Sequence, residues 1–283
     1  MTTAGLGLLI LIVAVVLAGM DRAAVLILSP AVKPPERTVP ESGLEHEDLS
    51  IRSGDRDLAA WFLRSPQAQP FEPLVLIAHG WGASHGTVIR LGEPLVRRGH
   101  DVLLFDVRGH GLNRPERLVT IRHFRDDLMA VVRYAAKRFP DRQLVVVGHS
   151  LGGAAGVLAA ADGAPIDGLV LIAAPSDVMR VTAEYLTDHG FPGGLLVVLL
   201  RPFLWLRVGG SMRPLTPSRR IRELDLPILM LQPENDDRVV RDHAERLSAA
   251  AGMDYHLIAA HEHTDVLGAP ETMNLVEDFL SRL

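Results

Sequence analysis

The residues best suited to chemistry lie in Leu144–Gly153, which reads LVVVGHSLGG. An aliphatic run is followed there by the pattern Gly-x-Ser-x-Gly and then by small residues. This order predicts a buried strand, a sharp turn with Ser150 at its apex, and a helix. Gly148 and Gly152 let the backbone pass close to the turn, so Ser150 can be strained with its hydroxyl exposed at the sheet edge. The pattern predicts a nucleophile, the alternative being a serine in an ordinary tight turn.

A nucleophilic serine needs a base to take its proton and a carboxylate to orient and stabilise the resulting imidazolium. Acidic residues directly follow the predicted strand Ile228–Leu231, in the sequence QPENDD. Asp236 is the preferred acid, with Asp237 and Glu234 as alternatives. Asp237 has a second interpretation, as the N-terminal cap of a helix that is predicted to begin near Arg238.

Two histidines, His261 and His263, follow the predicted strand Tyr255–Ala259. Their spacing also occurs in metal sites, but no HExxH pattern or third ligand group stands nearby in the sequence. A catalytic base is therefore the favoured interpretation, and no cofactor or metal is expected.

Strands and helices alternate along the chain that must position these residues. Leu74–Ala78 is continuously apolar, as in strands buried on both faces. Ile121–Phe139 carries apolar residues at helical spacing, and a β-hairpin is predicted around Ser53-Gly54-Asp55. The alternation predicts an α/β fold, with an open, mostly parallel sheet and helices on both faces. Ligands bind such sheets at the carboxyl ends of the strands.

One segment interrupts this alternation between Pro175 and Pro217, where the chain is too long for a simple connection. It contains the apolar sequence Gly193–Gly210, which is too short to span a bilayer. We expect a helical insertion at about residues 176–217 that caps the active site and touches lipid. The alternative is a helix packed on the domain.

The N-terminal segment carries no charge from Thr3 to Met20. About 18 apolar residues can cross a bilayer as a helix, so residues 1–35 are interpreted as a membrane anchor and linker. A cleaved signal peptide, which would give a secreted protein, is the alternative, but no basic residue precedes the apolar stretch. Basic residues follow it, at Arg22, Lys33 and Arg37, which favours a cytoplasmic position for the catalytic domain, residues 36–283.

Composition excludes several classes of function. The 283 residues suit one large α/β domain, and the net charge of −5 leaves no basic surface for nucleic acid. The chain has no cysteine. Disulfides, thiolate nucleophiles and cysteine-ligated zinc are therefore excluded.

Several motifs together resemble a known family. GHSLGG begins at Gly148, HGWG at His79 and DVRGHG at Asp106, and the acid near Asp236 and the late histidine follow them. This order resembles the α/β-hydrolase fold. The HGxG and DxRGxG pair is most similar to the serine-aminopeptidase and monoacylglycerol-lipase-like branch, which contains mainly ester and lipid hydrolases. The resemblance covers roughly Glu45–Leu283.

The resemblance implies roles for individual residues. Ser150 would be the nucleophile, Asp236 the acid and His263 the base. His263 is preferred to His261 because the polar and then apolar residues that commonly follow the base are found in His263–Leu267.

The backbone N–H groups of Trp81 and Leu151 would form the oxyanion hole. Two residues depart from the family pattern. Pro233 stands where a glycine is usual in the acid loop, and Asn113 stands where a serine usually follows DxRGxG.

Other polar residues are given structural roles. Asp106 and Arg108 are expected to pair and so to pin their loop. His79 is expected to order its loop by hydrogen bonding, and His149 to pack against the helix or the pocket wall. The remaining histidines near these motifs are expected to be solvated or locally hydrogen-bonded: His85, His110 and His123.

The sequence therefore predicts a membrane-anchored serine hydrolase that cleaves carboxylic esters, of apolar acyl chains or lipids, through an acyl-enzyme. An amidase, a peptidase or an acyltransferase would use the same triad. A catalytically silent, membrane-tethered binding or scaffold protein is the alternative from another class, and the intact Ser, Asp and His loops argue against it.

Overall fold

A computed structural model of the protein describes residues 3–30, 34–35, 37–69 and 71–283. Within these residues one eight-stranded sheet forms, in the order β1-β2-β4-β3-β5-β6-β7-β8. The strands are β1 (His46–Ser53), β2 (Arg56–Leu63), β3 (Leu74–Ala78), β4 (Val102–Phe105), β5 (Leu144–His149), β6 (Gly168–Ile172), β7 (Ile228–Pro233) and β8 (His256–Ile258).

Helices connect the strands and precede the sheet. They are α1 (Thr3–Ile27), α2 (His85–Arg97), α3 (Ile121–Arg138), α4 (Leu151–Ala161), α5 (Val178–Asp188), α6 (Gly193–Val208), α7 (Pro217–Arg220), α8 (Arg241–Ala251) and α9 (Pro270–Leu280). The helix that the sequence placed near Arg238 thus begins three residues later, at Arg241.

The sheet has one antiparallel edge and is otherwise parallel. β1 and β2 form the predicted hairpin, and β2 pairs antiparallel with β4. β3 pairs parallel with both β4 and β5, and the remaining pairs through β8 are also parallel. The predicted mostly parallel sheet is confirmed.

Side chains of the central strands alternate between two cores because successive residues of a strand point to opposite faces. In β3, Leu76 packs in the core that contains Phe124 of α3. The next residue, Ile77, packs in the other core, with Val88 of α2 and Val276 of α9. Helices therefore cover both faces, as the continuous apolar run of β3 predicted.

Between β6 and β7 the chain forms α5, α6 and α7. The end of α1 packs on α6 through Ala24, Leu200 and Leu204, which are buried together. Asp21 of α1 also forms an ion pair with Arg207 of α6. Residues 5–19 of α1 are exposed. Residues 5–27 are long and apolar enough to cross a membrane.

The backbone of the loop after β4 passes close to a buried carboxylate, and this contact can be tested by mutation. Gly111 has φ +53°, and a Cβ atom there would lie 2.0 Å from Oδ2 of the buried Asp106. Gly54, in the hairpin turn, has a similar φ of +57° with nothing within 4 Å. Alanine at Gly54 should cost about 1 kcal/mol of left-handed strain. At Gly111 it must also displace the carboxylate, for a total of about 3 kcal/mol or more.

Urea titration of Gly111→Ala and Gly54→Ala measures both losses in the free energy of unfolding. Equal losses for the two variants would contradict the close approach.

Candidate active site

The turn after β5 places Ser150 in a strained backbone conformation. Its φ of 53° and ψ of −123° lie outside the regions that a residue with a side chain ordinarily adopts. The backbone N–H of Ser150 donates to Ile172 O at 2.8 Å, which ties the turn to the end of β6. α4 begins directly at Leu151. The strand, turn and helix predicted around the serine are thus present.

The two glycines of the motif are required by close main-chain contacts. A Cβ atom on Gly148 would lie 2.4 Å from the Cα atom of Gly153. One on Gly152 would lie 2.3 Å from Ala78 O, at the end of β3. Any other residue at these positions would force the turn apart, so the strain at Ser150 is maintained by the surrounding backbone.

The loop after β3 lies against the serine. A Cβ atom on Gly80 would lie 2.7 Å from Ser150 Cβ and 3.2 Å from its Oγ. Trp81 follows Gly80 in the chain, and Leu151 follows Ser150. The two loops that the sequence assigned to an oxyanion hole are therefore neighbours.

The acid and base loops meet through one histidine and one carboxylate. Nδ1 of His263 lies 3.0 Å from Oδ1 and 2.9 Å from Oδ2 of Asp236, and both side chains are buried. Oδ1 also accepts the backbone N–H groups of Arg238 at 2.9 Å and Val239 at 2.8 Å. These bonds fix the direction of the carboxylate.

Among the described residues, neither alternative acid is hydrogen-bonded to His263. Asp237 is exposed and does not cap α8, so the capping role considered for it is wrong. The neighbouring Asp236 makes the local amide contacts instead. Glu234 is also exposed and accepts the backbone N–H of Ala260 at 3.0 Å.

The alternative base is also directed elsewhere. Nδ1 of His261 lies 3.2 Å from Oδ2 of the exposed Asp265. The backbone carbonyl of His261 accepts the N–H of Asn235 at 2.9 Å, which joins the base loop to the acid loop. His261 therefore joins the two loops, whereas His263 is the histidine that is hydrogen-bonded to Asp236.

His149 links the serine turn to the base loop. Its Nε2 lies 2.8 Å from the backbone carbonyl of His263, and the two rings are 4.8 Å apart. Because a carbonyl only accepts, Nε2 carries the proton and donates. Burial, reinforced by the nearby charge of His263, lowers the pKa of His149 to about 3. His149 therefore stays neutral and fixes the backbone that bears His263.

In the described part of the chain, the hydroxyl of Ser150 and the ring of His263 are not hydrogen-bonded to each other. Catalytic hydrogen bonds are often open in a free enzyme and form when substrate binds. The structure thus joins His263 to Asp236 directly, and to the serine turn through His149.

The expected pair between Asp106 and Arg108 is wrong. Arg108 binds Asp127 of α3, with Nε 3.0 Å from Oδ1, and Asp127 also accepts the hydroxyl of Ser53 at 2.7 Å. Asp106 instead accepts Nδ1–H of His85 at 2.8 Å. Each carboxylate therefore pins a different loop, and Asp127 is a structural residue that sequence reasoning missed.

Asp106 is fully buried, and it accepts the backbone N–H groups of His85 at 2.7 Å and Leu112 at 2.8 Å. Burial alone would raise its pKa, but the hydrogen bonds from His85 and the nearby His79 lower the pKa below its ordinary value. Asn113, where the family pattern has serine, holds the same loop by donating to Asp106 O at 2.6 Å. Asn113 therefore has a structural role in this loop.

His79 orders its loop, as the sequence predicted. Its Nε2 accepts the backbone N–H of Val107 at 3.0 Å, so Nδ1 carries the proton and donates to Gly80 O at 2.8 Å. Burial lowers the pKa of His79, which favours this neutral form.

An aromatic cluster lies beside the loop that follows β3. The ring of Trp81 stacks on Phe124 at 6.2 Å and meets the edge of His110 at 5.5 Å. His110 is buried and locally hydrogen-bonded, one of its two expected states, with Nδ1 3.0 Å from Arg108 O. Burial lowers its pKa to about 4. Trp81 itself remains exposed. This cluster forms an apolar wall next to Gly80.

The chain contains a second hydrogen-bonded set of a serine, a histidine and a carboxylate, made of residues other than those of the candidate site. Oγ of Ser176 lies 2.8 Å from Nδ1 of His243, and Nε2 of His243 lies 2.7 Å from Oε2 of Glu184. Ser176 is fully buried, and its backbone N–H also donates to Nδ1 at 3.1 Å. No substrate can reach this hydroxyl, so the chain of bonds fastens α5 to α8.

Comparison with known proteins adds family information to this geometry. The family described as serine aminopeptidase, S33, matches residues 69–209. This match includes the Ser150 turn and the loops after β3 and β4. It ends before the Asp236 and His263 loops, so their assignment depends on the contacts described above.

Curated relatives are monoglyceride lipases of mammals. The rat protein is 31% identical over 138 residues, which is 47% of this chain and 44% of that protein. The human protein is 31% identical over 203 residues, which is 70% of this chain and 63% of that protein. The chain thus spans about half the length of the curated relatives it matches.

Similar solved structures include an esterase and a peptidase. The Pyrococcus furiosus esterase Pf2001 has a TM-score of 0.72 at 20% identity, covering 90% of this chain and 97% of that chain. The Pyrococcus horikoshii acylaminoacyl peptidase has a TM-score of 0.63 at 15% identity, covering 85% and 42%. At these identities the likeness concerns the fold.

The buried neutral histidines predict loss of stability in acid. The pKa of His110 and of His149 is lowered in the folded state, whereas a histidine in the unfolded chain has a pKa of about 6.5. As the pH falls below about 6.5, the unfolded chain therefore binds protons at these two histidines before the folded protein does. Stability is therefore full above that value and falls with decreasing pH, by about 2 kcal/mol per group near pH 5.

His110→Gln should shrink the loss in free energy of unfolding between about pH 7 and about pH 5 by about 2 kcal/mol. The control is His256→Gln, at an exposed position. Denaturant titration at both pH values measures this. An unchanged loss in His110→Gln would contradict the role of burial.

Proposed function

Because this chain belongs to the α/β-hydrolases of the serine-aminopeptidase and monoacylglycerol-lipase-like branch, we propose that it is a serine hydrolase of carboxylic esters. One observation carries the proposal. A strained Ser150 lies against the loop after β3 and is linked, through His149, to a histidine that binds a buried carboxylate. This arrangement suits acyl transfer, since nucleophile, base and orienting acid converge on one sheet edge.

In the proposed mechanism, Ser150 Oγ attacks the ester carbonyl while Nε2 of His263 takes the hydroxyl proton. The carbonyl π electrons move to its oxygen, and the backbone N–H groups of Trp81 and Leu151 bind the resulting oxyanion. His263 then gives its proton to the leaving alkoxide as the carbon–oxygen bond breaks, which leaves an acyl-enzyme. The same base activates water, and hydrolysis of the acyl-enzyme restores Ser150 and releases the acid.

Asp236 has the role of orienting His263 and stabilising its charged form. Its carboxylate contacts Nδ1 of His263. Nε2 of the same ring would then face the substrate and act as the base. The two backbone N–H donors of Arg238 and Val239 keep the carboxylate in place while the proton moves.

Similarity favours an ester of an apolar acyl chain as the substrate. The curated relatives are named monoglyceride lipases. The Pyrococcus furiosus protein, whose structure is similar over 90% of this chain, is named an esterase. An amide substrate has weaker support, from the fold likeness to the acylaminoacyl peptidase. Transfer of the acyl group to an acceptor other than water would use the same acyl-enzyme.

We also place the enzyme on a membrane in this proposal. Residues 1–35 would form the anchor and linker, and α1 has the length and apolar composition to span a bilayer. Residues 36–283 would be the catalytic domain on the cytoplasmic side, with a cap at about 176–217. The exposed apolar residues of α6, among them Leu195 and Leu206, support contact between this cap and lipid.

Ser150→Ala should abolish both hydrolysis of p-nitrophenyl acyl esters and labelling by a fluorophosphonate probe. Loss of the nucleophile should lower kcat by about a thousandfold or more. The matched control is Ser176→Ala, because Ser176 is also bonded to a histidine but is fully buried. That variant should label normally. Hydrolysis that survives in Ser150→Ala would overturn the mechanism, and a wild type that never labels would favour a binding protein.

Substitution of each of two neighbouring aspartates tests which of them is the acid. Asp236→Asn should lower kcat by about a thousandfold or more, because an amide cannot stabilise the imidazolium. Asp237→Asn, at an exposed position next to it, should stay within about twofold of wild type. Steady-state kinetics on one p-nitrophenyl ester compare them, and equal losses would argue against Asp236 as the acid.

A further inference from the structure

A fully buried histidine near the start of α8, His243, joins two other elements and is not used by the proposed mechanism. Its Nδ1 lies 3.1 Å from the backbone nitrogen of Ser176, in the loop after β6, and its Nε2 lies 2.7 Å from Oε2 of Glu184 on α5. A backbone N–H group only donates, so Nδ1 accepts from Ser176. Nε2 therefore carries the proton and donates to the carboxylate.

Both ring nitrogens of His243 thus have a hydrogen-bond partner. An apolar residue could fill the same space, but it would leave the buried N–H of Ser176 without this acceptor, which costs free energy. The hydroxyl of Ser176 also lies 2.8 Å from Nδ1, and Ser176→Ala would retain the backbone donor. The position therefore requires a side chain that accepts at one end and donates at the other.

The loop that carries Ser176 also contacts the serine turn and the strand before the acid. The backbone N–H of Ser150 donates to the end of β6 at 2.8 Å, and the N–H of Ala173 donates to Leu231 O, in β7, at 2.9 Å. Ala173 has a φ of 52°, which is strained for a residue with a side chain and persists only where neighbouring contacts hold it. His243 holds this loop three residues further on, at Ser176.

His243 also contacts the end of the acid loop. Its backbone N–H donates to Val240 O, in the last residue before α8, at 2.9 Å. The preceding residue, Val239, donates its N–H to Oδ1 of Asp236 at 2.8 Å, and its carbonyl accepts from the side chain of Gln232 at 2.8 Å. The end of the acid loop is therefore held by Gln232 and by the first turn of α8, which contains His243.

Two contacts from α5 hold this turn from the side of the proposed cap. Glu184 accepts from His243 through Oε2, and its Oε1 accepts Nε–H of Arg180 at 2.8 Å. Arg180 also forms an ion pair with Asp242, the neighbour of His243 in α8. Since α5 is the first helix of the proposed cap, the cap is attached here to the helix that follows the acid.

We propose that His243 is a positioning residue for the reaction and acts through Asp236. It fixes the start of α8 between the loop after β6 and α5, so that the carboxylate of Asp236 keeps its alignment with His263. The inference rests on the proposed function, because it concerns the acid of that mechanism. His243 itself would contact neither the substrate nor the reacting atoms.

His243→Leu removes both ring contacts at a similar side-chain volume. We expect kcat for p-nitrophenyl acetate to fall by about tenfold, because a catalytic group misplaced by about 1 Å can cost even more. KM should stay within about twofold, since Asp236 acts on the transition state and does not bind the ester. The control is Leu247→Ala, at a buried position of the same helix, which should lower stability and leave kcat within about twofold.

The pH profile gives a readout that a loss of stability alone would not move. kcat/KM falls at low pH as the base becomes protonated, and an aligned Asp236 favours that protonated form. With Asp236 displaced, the acid side of the profile in His243→Leu should move to lower pH by about 0.5 pH unit. The profile of Leu247→Ala should stay in place.

A milder pair of variants keeps the test decisive where His243→Leu does not fold. Glu184→Ala removes the carboxylate that holds Nε2, at a partly exposed position, and Asp188→Ala, exposed on the same helix, is its control. kcat should fall by about threefold in Glu184→Ala, with the pH profile moved in the same direction. Asp188→Ala should match the wild type in both measurements.

An NMR measurement separates this inference from the proposed function. The proton between Nδ1 of His263 and Asp236 should give a far-downfield signal, identified by its loss in Asp236→Asn. In His243→Leu or Glu184→Ala we expect this signal to shift upfield, whether or not the protein hydrolyses an ester.

An unmoved signal, or an unchanged kcat in both His243→Leu and Glu184→Ala, would overturn the role of His243 and leave a serine hydrolase. A wild type that neither hydrolyses esters nor labels with the fluorophosphonate would overturn the proposed function. The NMR signal would then decide by itself whether His243 positions Asp236.

Discussion

The left-handed backbone of Ser150 is the constraint on which the site depends. It is held by approaches that only glycine permits, from Gly148 to the helix start and from Gly152 to the end of β3. The same crowding brings Gly80 against the serine. Because β3 and β5 are adjacent parallel strands, their carboxyl ends deliver these loops to one edge. The strain is thus maintained by the centre of the sheet, where the structure is most buried.

Around this turn, directional hydrogen bonds fix the positions of His263 and Asp236, the proposed partners of the serine. Asp236 is held by amides of its own loop and holds His263 in turn, while His149 binds the backbone of His263 from the serine side. Burial keeps His149 neutral, so it binds the backbone of His263 without adding a charge beside it. The acid, base and serine loops therefore form one connected unit, although they lie far apart in the chain.

Much of this unit was predictable from sequence, and one of the errors has a clear physical cause. The order of motifs predicted the family, which comparison confirms, and the strand pattern predicted the sheet. The expected pair between Asp106 and Arg108 was wrong because each found a partner on another element, His85 and Asp127. Nearness in sequence suggests a pair of opposite charges, but buried charges pair with whatever group the packing brings close.

The sequence by itself determined the elements and the serine turn, since apolar periodicity and the glycine pattern are local properties of the chain. Tertiary structure decided which of the neighbouring aspartates meets which of the neighbouring histidines. Asp236 and His263 are brought together by the adjacent parallel strands β7 and β8. Local pattern favoured these two residues over Asp237 and His261, but it does not specify that the two side chains meet. Tertiary structure also placed the N-terminal helix on α6. That contact depends on Ala24 meeting Leu200 and Leu204 across most of the chain, and no periodicity in either helix specifies its partner.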